Sequence, residues 1–297
     1  MIEEIQDEEG VPVPRAVSVV IPAFNEGSHV AQQVQAVDAV MRRSGWPYEI
    51  IVVDDGSTDR TAIEADATGA RVLRRATNRG YGAALKLGVA RAQHGYVLIT
   101  DADGTYPVDA IPALLEQAGR YAMVVGARVG DNVAIPLVRR PAKAFIRALA
   151  SYLSGERIPD LNSGLRVMRK DLVQRYVHLL PDGFSFTTTI TLASICNGHP
   201  VRYVPIDYHA RLGESKIRAR HAYDFTLLIL RVIVFFNPLK VFIPVGALLA
   251  AAGLAKLGYD IVKDNLSESA VLALLGALII WCVGLLADQN ARTAMRR

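Results

Sequence analysis

The sequence predicts an α/β fold: a doubly wound, mostly parallel sheet followed by a two-helix hairpin that crosses a membrane. Three observations predict it. Short β-branched runs alternate with helical patterns ahead of residue 240, and each run ends in a polar turn. After residue 240 the composition becomes almost wholly apolar. Half of the 297 residues (51%) are hydrophobic and the mean hydropathy is +0.23, high for a soluble chain and low for one that is mostly membrane. The apolar excess is therefore concentrated in one part of a chain long enough for one large domain with an appendage.

The start, "MIEEIQDEEG", is acidic and lacks the apolar core of a signal peptide, so the chain is expected to begin in the cytoplasm. The runs "AVSVVIPAFNE", "EIIVVDDGSTD", "ARVLRRATN", "YVLITDADG" and "YAMVVGAR" each read as a buried strand leading into a turn. They do not alternate strictly, as suits parallel strands covered on both faces. Helical patterns lie between them, over Gly27 to Met41, Asp59 to Thr68, Ala83 to Gln93 and Val108 to Gly119.

In such a sheet ligands sit at the carboxyl ends of the strands. The polar residues there are Asn25, Glu26, Asp54, Asp55, Asn78, Asp101, Asp103 and Arg128, expected to converge on one edge. Caps and turns account for Ser57, Thr58 and Asp59 before their helix. They account less well for three strands that end in acids, because gathered like charges repel unless a cation or donors offset them. Asp101 and Asp103 flank Ala102, so in an extended segment both point the same way. Paired hard oxygens suit Mg²⁺ or Mn²⁺ completed by water and substrate phosphates, which points to a metal-bound diphosphate.

A dinucleotide-binding site is the obvious rival. "RGYGAALKLG" has Gly80 and Gly82, but Leu85 stands where a third small residue is needed, and the motif does not follow the first strand. A P-loop is absent too. Cys196 and Cys282 lack metal-ligand spacing and fit a reducing compartment. The histidines show no metal spacing either, and His209 and His221 read as surface groups. A net charge of +4 and a pI near 9.1 make no case for a nucleic-acid partner.

Two apolar stretches, 241–259 and 270–287, are each long enough to span a bilayer. Lys256 is the sole charge in the first and lies where it can snorkel; the second has none. The tail "QNARTAMRR" carries three arginines and no acid, placing it in the cytoplasm with the large domain. The expected location is the cell (inner) membrane, multi-pass. "SKIRARHAYDFTLLILRVIVFFNP", with Lys216, Arg218, Arg220 and Arg231, reads as a basic amphipathic helix on the membrane surface. Small residues in "GALLAAAGLAKLG" permit close helix packing and hence a homo-oligomer.

In the order "VSVVIPAFNE", "IIVVDDGSTDRT", "NRGYGAALKLG", "LITDADGTYP" and "VVGAR", the chain resembles the family 2 inverting glycosyltransferases of GT-A fold. With "DLNSGLRVMRK", "FSFTTTI", "RLGESKIR" and the terminal hairpin, it resembles more narrowly the polyprenyl-phosphate type, the dolichyl-phosphate mannose or glucose synthases. The expected layout is an acidic tail (1–15), a GT-A catalytic domain (16–212), a juxtamembrane segment (213–239), two transmembrane helices within 240–290 (about 240–259 and 269–287) and a basic tail (291–297).

The resemblance implies a UDP- or GDP-hexose donor, a polyprenyl phosphate acceptor, the bilayer as a partner, and Mg²⁺ or Mn²⁺. It places the nucleotide on Pro22, Ala23, Asn25, Glu26, Asp54, Asn78, Gly82 and Asp101, and the metal on Asp103 and Asp101. Lipid-phosphate members often carry Gln two residues after the second Asp; Thr105 stands there, which leaves the metal's other ligands open. A phosphate acceptor is already an anion and needs cations rather than a strong base. Arg128, Arg139, Arg140 and Arg211 are the candidates, since arginine grips phosphate bidentately. Asp160 stands where hydroxyl-acceptor relatives keep their base, and here it orients the acceptor or an arginine, or caps the turn. The alternative reading is a family 2 enzyme with a glycan or other hydroxyl acceptor. Tyr106 and Pro107 are expected to shape the loop after Asp103, and "FSFTTTI" to be core.

Overall fold

The structure, a computed structural model, describes residues 15–133, 154–183, 185–208, 233–263 and 267–295, together with 148, 150–152, 227, 230 and 231. The described strands are β1 (Val17–Ala23), β2 (Tyr48–Asp54), β3 (Arg71–Arg74), β4 (Tyr96–Ile99), β5 (Met123–Val133), β6 (Arg166–Arg169) and β7 (Val201–Tyr208). The helices are α1 (Val30–Ser44), α2 (Thr61–Asp66), α3 (Tyr81–Arg91), α4 (Ile111–Gln117), α5 (Lys170–Tyr176), α6 (Phe186–Cys196), α7 (Leu239–Val262) and α8 (Glu268–Met295). They belong to two compact units: the sheet with its helices, within 1–137, 159–194 and 199–216, and a unit within 138–158, 195–198 and 217–297 that holds the two long helices.

The sheet runs β3-β2-β1-β4-β6-β5-β7. β1 pairs in parallel with β2 (Val17↔Tyr48 to Ala23↔Asp54) and with β4 (Val17↔Tyr96 to Val20↔Ile99). Every residue of β1 and β4 is buried, which is why these runs show no alternation. The chain winds outward through β2 and β3, then returns to the other side of β1 as β4. That reversal opens a crevice at the carboxyl ends of β1 and β4, the place where open α/β sheets bind ligands.

α1 covers the sheet with Val30, Val34, Val37, Val40 and Met41, an apolar stripe at helical spacing. Fully burying such a valine contributes ~1.5–3 kcal/mol. The helix stops where Gly45 turns left-handed at φ 72°.

The sheet departs from the sequence reading in three places. β3 is an edge strand with both ends exposed, not a buried one. β6 enters antiparallel between β4 and β5, so the sheet is mixed. β7 adds a parallel edge beside β5, its Pro205 tolerated because an edge strand leaves one ladder side unpaired.

In the other unit α7 and α8 form a hairpin of 24 and 28 residues. At 1.5 Å per residue each exceeds a hydrocarbon core of ~30 Å. Only 11% and 17% of their most apolar windows is buried, so they are not core helices of this chain, and each is long and apolar enough to cross a membrane. A methyl on Gly246 would meet the Trp281 ring at 2.3 Å, and one on Gly284 would meet Phe242 at 2.6 Å, so the aromatic rings seat in glycine notches. Lys256, expected to snorkel, pairs with Asp260, whose other oxygen accepts the Ser267 N–H at 3.1 Å.

Candidate active site

The loops after β1 and β2 are knitted together. Asn25 sits at φ 55°, a conformation asparagine tolerates, and its N–H donates to Ser57 Oγ at 2.9 Å. Its side-chain oxygen accepts the Thr58 N–H (2.9 Å), while the Glu26 N–H donates to Thr61 Oγ1 and the Gly27 N–H to Asp59. Asn25 and Asn78 are exposed, Glu26 half-buried, and Pro22 and Ala23 buried.

Asp54 is fully buried: Oδ1 accepts the Ser57 N–H at 2.9 Å, and Oδ2 lies 3.3 Å from Arg74 Nε. Asp55 accepts the Arg79 and Gly80 N–H groups (3.1 and 2.7 Å) and pairs with Arg75. Beyond the Arg74 ion pair, Asp54 Oδ2 makes no hydrogen bond to the described residues. Gly82, expected beside the base, is buried under another loop: a methyl there would sit 2.1 Å from the Pro181 carbonyl oxygen. A methyl on Gly80, at φ 104°, would stand 2.6 Å from the Asp182 carbonyl oxygen, which accepts the Ala83 N–H at 3.0 Å. Lys86 clamps this loop through the Leu180 carbonyl and the Asp182 carboxylate. The two glycines thus admit backbone at the start of α3.

At the end of β4, Asp101 and Asp103 are half-buried. Asp101 Oδ1 accepts the Tyr81 phenol at 2.9 Å. Burial and then the Asp101 charge hold that phenol well above its ordinary pKa, so it stays a donor. Asp103 Oδ1 accepts both the N–H and the hydroxyl of Thr105 (3.2 and 2.7 Å). Thr105, the departure from the family pattern, therefore braces Asp103. The backbone of Gly164 comes close to the Asp101 carboxylate: an added methyl would stand 2.9–3.1 Å from its atoms. The Gly164 N–H donates to Tyr106 Oη at 2.6 Å, which ties Tyr106 to the loop carrying Gly164.

Arg128, midway along β5, makes a bidentate pair with Asp160: Nε to Oδ2 at 2.7 Å and Nη2 to Oδ1 at 2.9 Å. The Arg128 backbone N–H donates to the same Oδ2 and the Asn162 N–H to Oδ1. Burial opposes the charge on Asp160, but the Arg128 guanidinium prevails and its pKa falls below the ordinary value. Burial likewise opposes the Arg128 charge, and Tyr106, Asp160 and Tyr208 outweigh it, so the guanidinium stays protonated. Its carbon lies 5.1 Å over the Tyr208 ring, which in turn packs edge-on against Tyr106.

Behind this loop Arg166 is wholly buried. Its guanidinium donates to the carbonyls of Ser163, Leu161 and Thr187 and to Thr191 Oγ1. Those bonds shape residues 161–165 and tie them to α6, whose "FTTTI" stretch is core as expected. Tyr81, Gly164, Arg166 and Tyr208 had no role in the sequence reading. The signal for two of them was present, since Gly164 and Arg166 lie inside "NSGLR". Arg139, Arg140, Arg211, His209, His221 and most of the basic amphipathic segment lie outside the described residues.

The residues at the end of β4 fit a hard divalent cation. The described residues contain no group of three or more His, Cys, Asp or Glu able to hold a metal by themselves. Two carboxylates of hard oxygens suit an ion that takes its other ligands from phosphates and water, the habit of Mg²⁺ and Mn²⁺.

Two family models match two parts of the chain. A family model described as glycosyl transferase family 2 matches residues 18–177, and one described as the GtrB C-terminal hairpin matches 237–292. The chain is 30% identical over 202 residues to a dolichyl-phosphate hexose transferase of Haloferax volcanii, covering 67% of this chain and 86% of the relative. It is 29% identical over 253 residues to an undecaprenyl-phosphate 4-deoxy-4-formamido-L-arabinose transferase of Pseudomonas paraeruginosa, covering 80% of this chain and 70% of the relative. Among solved structures, a glucosyl-3-phosphoglycerate synthase from Mycobacterium tuberculosis, in complex with Mn²⁺, UDP and phosphoglyceric acid, superposes with a TM-score of 0.61. That match covers 74% of this chain and 78% of the other at 22% identity, a likeness of fold.

Proposed function

The chain belongs to glycosyl transferase family 2, and from that premise we propose that it transfers one hexose, with inversion, from a nucleoside-diphosphate donor to polyprenyl phosphate. The observation that carries the acceptor assignment is the state of Asp160. Four donors converge on its two oxygens and its pKa is depressed, so it is a poor general base. A hydroxyl acceptor needs such a base. A phosphate acceptor arrives ionised and needs cations, and Arg128 is a fixed one, with Nη1 outside both bonds to Asp160.

In this reading Asp160 orients Arg128, and Arg128 holds the acceptor phosphate with Arg139, Arg140 and Arg211. Asp103 and Asp101 would hold Mg²⁺ or Mn²⁺, which when bound offsets the charge gathering on the departing diphosphate. The loops carrying Pro22, Ala23, Asn25, Glu26, Asn78 and Gly82 shape the nucleotide site, with Asp54 acting from beneath through Ser57 and Arg74. The catalytic domain, 16–212, faces the cytoplasm of the inner membrane, and the hairpin anchors it where a lipid phosphate resides.

The test is transfer itself. Purified full-length protein with Mn²⁺, undecaprenyl phosphate and labelled UDP- or GDP-hexoses is expected to move label into the organic phase. No extractable label with any donor overturns the lipid-acceptor reading. Thermal shifts with UDP and GDP, each with Mn²⁺, then choose the base.

A further inference from the structure

We propose that Tyr81 and Gly164 form a two-sided cradle that fixes the Asp101 carboxylate, and so act as positioning residues for divalent-cation binding. The inference rests on the transfer reading above and adds residues to its cation site.

The cradle has one polar wall and one steric wall. Tyr81, the first residue of α3, donates its phenol to Asp101 Oδ1 at 2.9 Å. On another side the Gly164 backbone lies so close that a methyl would stand 2.9 Å from Oδ1 and 3.0 Å from Oδ2. Contacts that short force something to shift, and here the movable group is the carboxylate itself. Gly164 is held in turn, because its N–H donates to the buried Tyr106 oxygen at 2.6 Å and Arg166 grips the preceding Ser163 carbonyl. The steric wall is thus a braced piece of backbone.

A carboxylate on a short loop has torsional freedom that must be lost when it ligates an ion. The cradle removes that freedom beforehand, as outer residues do when they orient metal ligands. Asp103 has its own brace in Thr105, so each aspartate of the pair is fixed by a different neighbour. The loop that supplies Gly164 begins at Asp160, the partner of Arg128. One loop thereby positions both the cation motif and the candidate acceptor arginine. The rival account, a core tyrosine that merely satisfies its hydroxyl, predicts no effect on the cation.

The experiment counts bound Mn²⁺ by electron paramagnetic resonance on full-length protein in detergent. It uses saturating UDP and, in a parallel series, GDP, without acceptor. Tyr81→Phe removes one hydrogen bond to a charged group and is expected to weaken Mn²⁺ binding roughly tenfold. Gly164→Ala is expected to weaken it further. Tyr176→Phe, whose hydroxyl meets His199 away from the site, is expected to leave it unchanged. Equal Mn²⁺ affinity in wild type and Tyr81→Phe overturns the proposal, even if the variant melts lower. Should Gly164→Ala fail to fold, Tyr81→Phe decides alone. Wild type that binds no Mn²⁺ with either nucleotide overturns the cation reading, and this inference with it. Wild type that binds Mn²⁺ but transfers no sugar to lipid overturns only the acceptor assignment.

Discussion

Two strands of this sheet end in paired acids, and the pairs differ. At the end of β2, Asp54 and Asp55 are 0% and 3% exposed and are met by backbone N–H groups and arginines. At the end of β4, Asp101 and Asp103 are half-buried, and among the bonds they accept are the Tyr81 and Thr105 hydroxyls and the Thr105 N–H. The first pair is locked to the loops it supports. The second is steadied and still reaches the crevice. Full burial makes a carboxylate part of the frame, whereas partial exposure leaves it within reach of a ligand.

Asp103→Asn is the sharpest test of that division. Asparagine keeps the size and the acceptor for Thr105 but removes the charge. We expect turnover to fall roughly a hundred- to a thousand-fold, the scale for losing one preorganised charge-stabilising group, with an unchanged melting point. Retained activity with Mn²⁺ removes Asp103 from the cation site. Asp54→Ala should behave the opposite way. It strips the acceptor from a buried Ser57 N–H, at a cost of ~1–3 kcal/mol, read as a lower melting point. A variant that melts normally but loses UDP or GDP affinity would show that Asp54 touches the nucleotide, and the contrast would fail.

Why the sequence conveyed one half of this and not the other is a matter of range. β1, β2 and β4 were legible because full burial leaves unbroken apolar runs, and their ends because the acids come directly after. β6 was not: "RVMR" is four residues bounded by arginines, and nothing local says that Arg166 is buried while Arg169 reaches Asp171. β7 hid behind Pro205 and its exposed residues. The partners of Tyr81, Tyr106 and Tyr208 were illegible for a different reason. Each looks like an ordinary core aromatic, and its hydroxyl or face finds a partner only across the fold. The glycines of "NRGYG" resembled a phosphate loop because close approach to backbone and close approach to a ligand demand the same residue.

Asp160 tests whether the two behaviours can meet in one residue, since it is half-buried like Asp101 and Asp103 yet is met by backbone N–H groups and an arginine like the β2 acids. Its folded pKa lies below the ordinary carboxylate value, with Arg128 overcoming the opposing effect of burial. A depressed folded pKa means that the pair adds stability wherever the unfolded carboxylate is already ionised, above a pKa of ~3.9. That contribution fades as pH falls below this value and is lost as pH drops through the folded pKa. Asp160→Asn should therefore melt below wild type at pH 7, and the gap should close as both are acidified past pH ~4. The effect is smaller than the other two because asparagine still accepts from Arg128. A gap that stays constant from neutral pH into acid would mean that the Asp160 charge contributes nothing. Arg128 would then owe its position to the hydrogen bonds that an uncharged residue 160 can also accept and to Tyr208, and the charge of Asp160 would have no framing duty.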